Sequence, residues 1–97
     1  MVKLEWSPKS LMEIEEIFEY IAEDSREYAS VFVRKLIEAT TSIAEFPLIG
    51  RVVPEFKDPI IRERIYKNYR IIYRFNNNKV EIVTIFHNAR NLTEREL

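Results

Sequence analysis

Arg62, Arg64, Arg70, Arg74 and Arg90 share the second half of the chain with its only histidine, His87. Guanidinium groups are permanently charged and multiply donating, so a cluster of them binds phosphate or carboxylate and can stabilise negative charge in a transition state. Imidazole carries protons near neutral pH. The set therefore suits an anionic partner, either as a binding surface or as a metal-independent catalyst of RNA cleavage using the RNA's own 2′-hydroxyl. Other chemistries lack their residues. With one Gly, no Cys and one His, there is no glycine-rich phosphate loop, thiolate site, disulfide, cysteine nucleophile or histidine pair for zinc. No carboxylate cluster suggests magnesium, so neither metal nor cofactor is expected. A plain structural reading stands beside each candidate. The arginines could line a solvated sheet face, His87 could be structural, and Glu55, after Pro54, could be a surface acid.

The elements that would position these residues must fit one domain, residues 1–97. A composition that is 46% hydrophobic and 32% charged is that of a compact chain with short loops. The net charge of −1 hides a division. Residues 1–50 hold five Lys/Arg and ten Asp/Glu, a balance of −5, while residues 51–97 hold ten and six, a balance of +4. A near-neutral whole argues against indiscriminate nucleic-acid binding, but the basic half leaves room for a local anionic site. No stretch reads as a signal peptide or membrane span, and cysteine is absent, so a cytoplasmic protein with no membrane contact is expected.

Val2 to Trp6 alternates apolar and charged residues, as a short strand does. Ser7-Pro8 then signals a helix start, and Leu11, Ile14, Ile17, Phe18 and Ile21 form its apolar stripe to near Asp24. Ser25 caps a second helix whose stripe runs from Ala29 through Phe32, Val33, Leu36 and Ile43 to Phe46, where Pro47 ends it. Residues 47 to 59 read as an irregular connection. Ile60 to Tyr66, Tyr69 to Phe75 and Lys79 to Phe86 are rich in β-branched and aromatic residues, with Lys67-Asn68 and Asn76-Asn77-Asn78 between them. The expected fold is α+β: an N-terminal strand, a helical hairpin and a three-stranded antiparallel meander. Asn91 to Leu97 read as a frayed or partner-ordered tail.

Strand register decides whether the arginines converge. With Ile71, Tyr73 and Phe75 facing inward and a three-residue loop Lys67-Asn68-Tyr69, Ile61 and Ile65 also face inward. Arg62, Arg64 and Tyr66 then share the outer face with Arg70, Ile72 and Arg74, giving one basic surface. That register turns Glu63 inward, opposite Tyr73, where its carboxylate needs a partner. A two-residue loop would instead set Glu63 beside Arg70 and Arg74 and weaken the patch.

The ordered parts, with Phe46-Pro-Leu-Ile-Gly-Arg51, Arg62-Glu63, Tyr69-Arg-Ile-Ile-Tyr73 and Ile85-Phe-His-Asn-Ala-Arg90, resemble the RelE/ParE superfamily of toxins over residues 2 to 92. The resemblance implies the toxin of a type II toxin-antitoxin, or plasmid-stabilisation, module. It carries two activities of different class. RelE-type members are mRNA interferases that cut messenger RNA on the ribosome, whereas ParE-type members inhibit DNA gyrase by binding it, and a copy could also bind antitoxin without toxicity. For cleavage, the resemblance assigns catalytic roles to Arg62, Arg64, Arg70, His87, Arg90 and Glu55. Arg51, Tyr66 and Arg74 are further candidates for antitoxin or nucleic-acid binding. The tail lacks the C-terminal tyrosine of RelE-type enzymes, Asn88 standing in its place. A cognate antitoxin is the implied partner, in a heterotetramer or beside a toxin homodimer, its acidic C-terminal segment covering Arg62, Arg64 and Arg70.

Overall fold

The computed structural model describes residues 2–88. The chain runs β1 (Lys3–Trp6), α1 (Pro8–Ala22), α2 (Arg26–Glu45), β2 (Arg51–Val52), β3 (Ile61–Tyr66), β4 (Tyr69–Asn76) and β5 (Lys79–His87). One five-stranded sheet has the order β1-β5-β4-β3-β2, with β1 parallel to β5 and the other neighbours antiparallel. The α+β arrangement and the meander are as the sequence predicts. The two-residue strand β2 is an addition, formed inside the segment read as an irregular connection.

Both helices begin on serine caps. Ser7 Oγ accepts from the Ser10 N–H at 3.0 Å and donates to the Val83 carbonyl at 2.7 Å, tying the start of α1 to β5. Ser25 Oγ accepts from the Tyr28 N–H. Helix α2 buries Ala29, Phe32, Leu36, Thr40 and Ile43, a spacing that keeps one face on the sheet. Phe32, Leu36 and Ile43 join Ile17 of α1 against Ile71, Tyr73, Val80, Ile82 and Ile85 to form the main core.

The second face of the sheet is not bare. Val53, Ile61, Ile72 and Phe86, with Phe56 against them, make a smaller core there. The connection after β2 thus folds back over the face that was expected to be solvated.

Strand β1 stops at Trp6 while β5 continues to His87, so the edge of β5 beyond Ile82 needs another acceptor. Glu13 of α1 supplies it, accepting from the Ile85 N–H at 2.9 Å and from the Thr84 hydroxyl at 2.8 Å. Glu13→Ala should therefore cost about 1–2 kcal/mol, because the donors it leaves behind are buried. Urea unfolding would measure this, and an unchanged midpoint would show that water replaces the carboxylate.

The β3–β4 register is that of a two-residue loop. Tyr66 pairs with Tyr69, Arg64 with Ile71, Glu63 with Ile72 and Arg62 with Tyr73. Lys67 takes φ 54°, the left-handed conformation that short hairpin loops use to match strand twist. The three-residue loop is therefore incorrect, and with it the inward placement of Ile61, Glu63 and Ile65. Ile61 belongs to the smaller core, and Ile65 is exposed. The β4–β5 turn is likewise two residues, Asn77 and Asn78, both at positive φ. One residue of register is lost between Ile72 and Tyr73, where β5 carries a bulge.

Candidate functional site

The register divides the arginines. Residues paired directly across antiparallel strands share a face. Arg62 and Arg64, opposite Tyr73 and Ile71, lie on the helix side, while Arg70 and Arg74 lie on the other. The expected single basic surface of Arg62, Arg64, Arg70 and Arg74 does not form. Tyr66 is also absent from it, packing edge-on against Phe32 at 5.5 Å in the main core.

On the far side, the charges alternate and close on one another. Glu63 is 1% exposed, held between Arg51 Nε and Arg70 Nε, the latter at 2.6 Å. Arg70 is 7% exposed and turns its two terminal nitrogens to Glu55, at 2.8 and 3.0 Å, with its guanidinium 5.5 Å above the Phe86 ring. The bidentate bond to Glu55 raises the Arg70 pKa against the opposing effect of burial, and Glu63 adds to the rise. Two cations and two anions thus neutralise each other where β2, the following loop, β3 and β4 meet. Arg74 is paired separately, with Glu81 at 3.3 Å. An open groove of about 360 Å³ borders that pair, and a groove of about 600 Å³ lined by Arg51, Pro54, Glu55, Ile65, Arg70 and Asn88 opens over the four-residue cluster.

This cluster is built to hold structure together. Arg70 spends one N–H of each of its three nitrogens on carboxylates, so its charge is already neutralised by Glu55 and Glu63 and is weakly available to a developing oxyanion. His87 is on the opposite face. It pairs with Tyr69, and their rings meet edge-on at 5.7 Å in a groove that also includes Glu13, Glu16 and Tyr20. The sheet therefore separates the proton carrier from the Glu55–Arg70 pair. Arg90 lies outside the described residues.

Two participants were not among the candidate site residues. Glu63 was expected beside Arg70 in the two-residue register, and the structure pairs them there. Tyr73 is the other. Its hydroxyl donates to the Pro47 carbonyl at 2.7 Å and accepts from the Gly50 N–H at 3.0 Å, and Arg62 Nη1 donates to the Gly50 carbonyl at 3.0 Å. Burial raises the Tyr73 pKa, opposed by the Gly50 N–H and by the nearby charges of Arg62 and Arg64. The segment between α2 and β2 is thereby pinned to the centre of the sheet.

Among the described residues, no group of three His, Cys, Asp or Glu side chains could hold a metal ion, and no helix is long and apolar enough to cross a membrane.

The family described as the ParE toxin of the type II toxin-antitoxin system parDE matches residues 4–92. Among solved structures, the chain is similar to one from the chromosomal ParDE TA system from P. aeruginosa, with a TM-score of 0.75 and 19% identity, covering 90% of this chain and 96% of that one. At that identity the likeness concerns the fold. No curated protein matches the chain. Because the family match spans nearly the whole sequence, from β1 to beyond β5, the chain belongs to the ParE toxin family.

Proposed function

We propose that this toxin acts without catalysis, by binding DNA gyrase, and that a cognate antitoxin neutralises it by covering its exposed surface. The observation that carries the reading is the separation of His87 from Arg70. A general base must come within hydrogen-bond reach of the proton it removes while the charge-stabilising groups face the same phosphate. Here His87 and Arg70 lie on opposite faces of a sheet, and the arginine is already bound to Glu55 and Glu63; Arg62 and Arg64 share the face of His87 but lie opposite Tyr73 and Ile71, whereas His87 lies opposite Tyr69. Membership of the ParE family supports the same choice over messenger-RNA cleavage.

The test is to add purified toxin to a gyrase supercoiling reaction and, separately, to a cell-free translation reaction. Loss of supercoiling without new messenger-RNA ends is expected. Ribosome-dependent cuts would overturn the reading, and inactivity in both reactions would identify a copy that only binds antitoxin. His87→Ala provides a second check. Removing a catalytic base costs about 10²–10⁴-fold in rate, so growth inhibition that survives His87→Ala unchanged is the expected result.

A further inference from the structure

The segment between α2 and β2 exposes three large apolar residues, Phe46 at 61%, Leu48 at 64% and Ile49 at 48%. Such exposure is ordinary in a loose loop, but this one is anchored. The Ile49 N–H closes a turn on the Phe46 carbonyl at 2.9 Å, and Tyr73 binds the backbone at both Pro47 and Gly50. The apolar side chains are thus presented outward on a fixed frame, which lowers the ordering cost of binding.

The neighbouring arginines differ from the rest of the sheet. Arg51, Arg70 and Arg74 each have a carboxylate partner. Among the described residues, Arg62 donates only to the carbonyls of Pro59 and Gly50, and Arg64 makes no hydrogen bond or ion pair. Both guanidinium groups are close enough to influence the Tyr73 hydroxyl that anchors the loop. An apolar ridge beside two cations that have no counter-charge among the described residues complements a protein segment carrying carboxylates next to bulky apolar side chains. Aromatic and arginine residues are also the types that dominate binding energy at interfaces.

We infer that Phe46, Leu48 and Ile49, with Arg62 and Arg64, form the surface that docks an acidic, apolar segment of the toxin's target. This rests on the reading of that target as gyrase. A target inhibited by occupancy alone meets a preformed surface, and this loop is one. Arg70 takes no part, because its carboxylate partners already satisfy it.

The experiment compares inhibition of gyrase supercoiling by the wild-type toxin, Arg62→Glu/Arg64→Glu, Phe46→Ser/Leu48→Ser/Ile49→Ser, and the charge reversal Lys35→Glu on the exposed side of α2 as a control. Antitoxin binding by each is measured in parallel. Loss of a few central interface residues typically weakens binding by about tenfold or more, so the first two variants should need at least that much more toxin for half inhibition. The control should match wild type. Melting temperatures check folding, and if a multiple variant is unfolded, Arg64→Glu alone is used, with a loss of about threefold or more expected from one interfacial charge. Unaltered inhibition by the folded variants would overturn the inference while leaving the gyrase reading intact. So would a loss of antitoxin binding with inhibition retained, which would assign the surface to the antitoxin. A wild-type toxin that does not inhibit gyrase would defeat the functional reading and this inference together.

Discussion

Replacing Arg70 by alanine should destabilise the fold by about 3–5 kcal/mol, because it strands a buried carboxylate. Glu63 would retain Arg51, whose side chain is 66% exposed and so shares its charge with water. Glu55 would lose both bonds that hold it against β4. In a domain of this size, a loss of that magnitude lowers the melting temperature by more than about 10 °C. Thermal denaturation of the purified protein measures it. The companion is Glu63→Leu/Arg70→Leu, which removes both of the buried members of the cluster. Replacing a buried ion pair by apolar residues is often neutral, so the double variant should recover much of the single variant's loss. A loss below about 1 kcal/mol for Arg70→Ala would mean that the cluster behaves like a solvated surface pair.

The second large effect is expected at Gly50. A Cβ there would stand 2.5 Å from the Glu63 carbonyl oxygen and 2.6 Å from the Tyr73 hydroxyl. The first contact is with backbone of β3 and the second with a buried ring, so neither neighbour can swing away. Gly50→Ala should cost about 3 kcal/mol, at the upper end of the range for forcing atoms into a packed site. Combining it with Tyr73→Phe removes one clash, so the double variant should lose less than the two single losses together. Such coupling is expected of residues in contact. Strict additivity in urea denaturation would show that the Tyr73 hydroxyl does not limit the space at Gly50.

Much of the fold was legible because it follows from local chemistry. Ser7 and Ser25 cap the helices in which their sequences place them, and Ala29, Phe32, Leu36 and Ile43 of the expected α2 stripe are buried, whereas Phe46 at its end is exposed. The site was less legible, because a one-residue change in loop length moves every side chain of a strand to the other face. The three-residue loop placed Glu63 and Ile65 opposite Tyr73 and Ile71. The two-residue loop puts Arg62 and Arg64 there instead, and it is made possible by Lys67 accepting positive φ. It also takes Glu63 away from the helices and into an ion-paired cluster, where burial is tolerable because Arg51 and Arg70 neutralise it. Arg70, a candidate catalytic group by sequence, is ion-paired to Glu55 and Glu63 for the same reason.

The sequence by itself determined the helices, the meander, the charge division and the membership of a toxin family, since caps, periodicity and an ordered set of motifs are properties of neighbouring residues. It also named nearly every charged residue that matters. Which of them meet was decided by the tertiary structure. Glu55 comes to Arg70 from fifteen residues away because the loop after β2 folds over the sheet, and Tyr73 reaches Pro47 across twenty-six. Those contacts depend on long-range closure, for which no local pattern is sufficient. They leave Arg62 and Arg64, beside Phe46, Leu48 and Ile49, as the arginines of the sheet without carboxylate partners among the described residues.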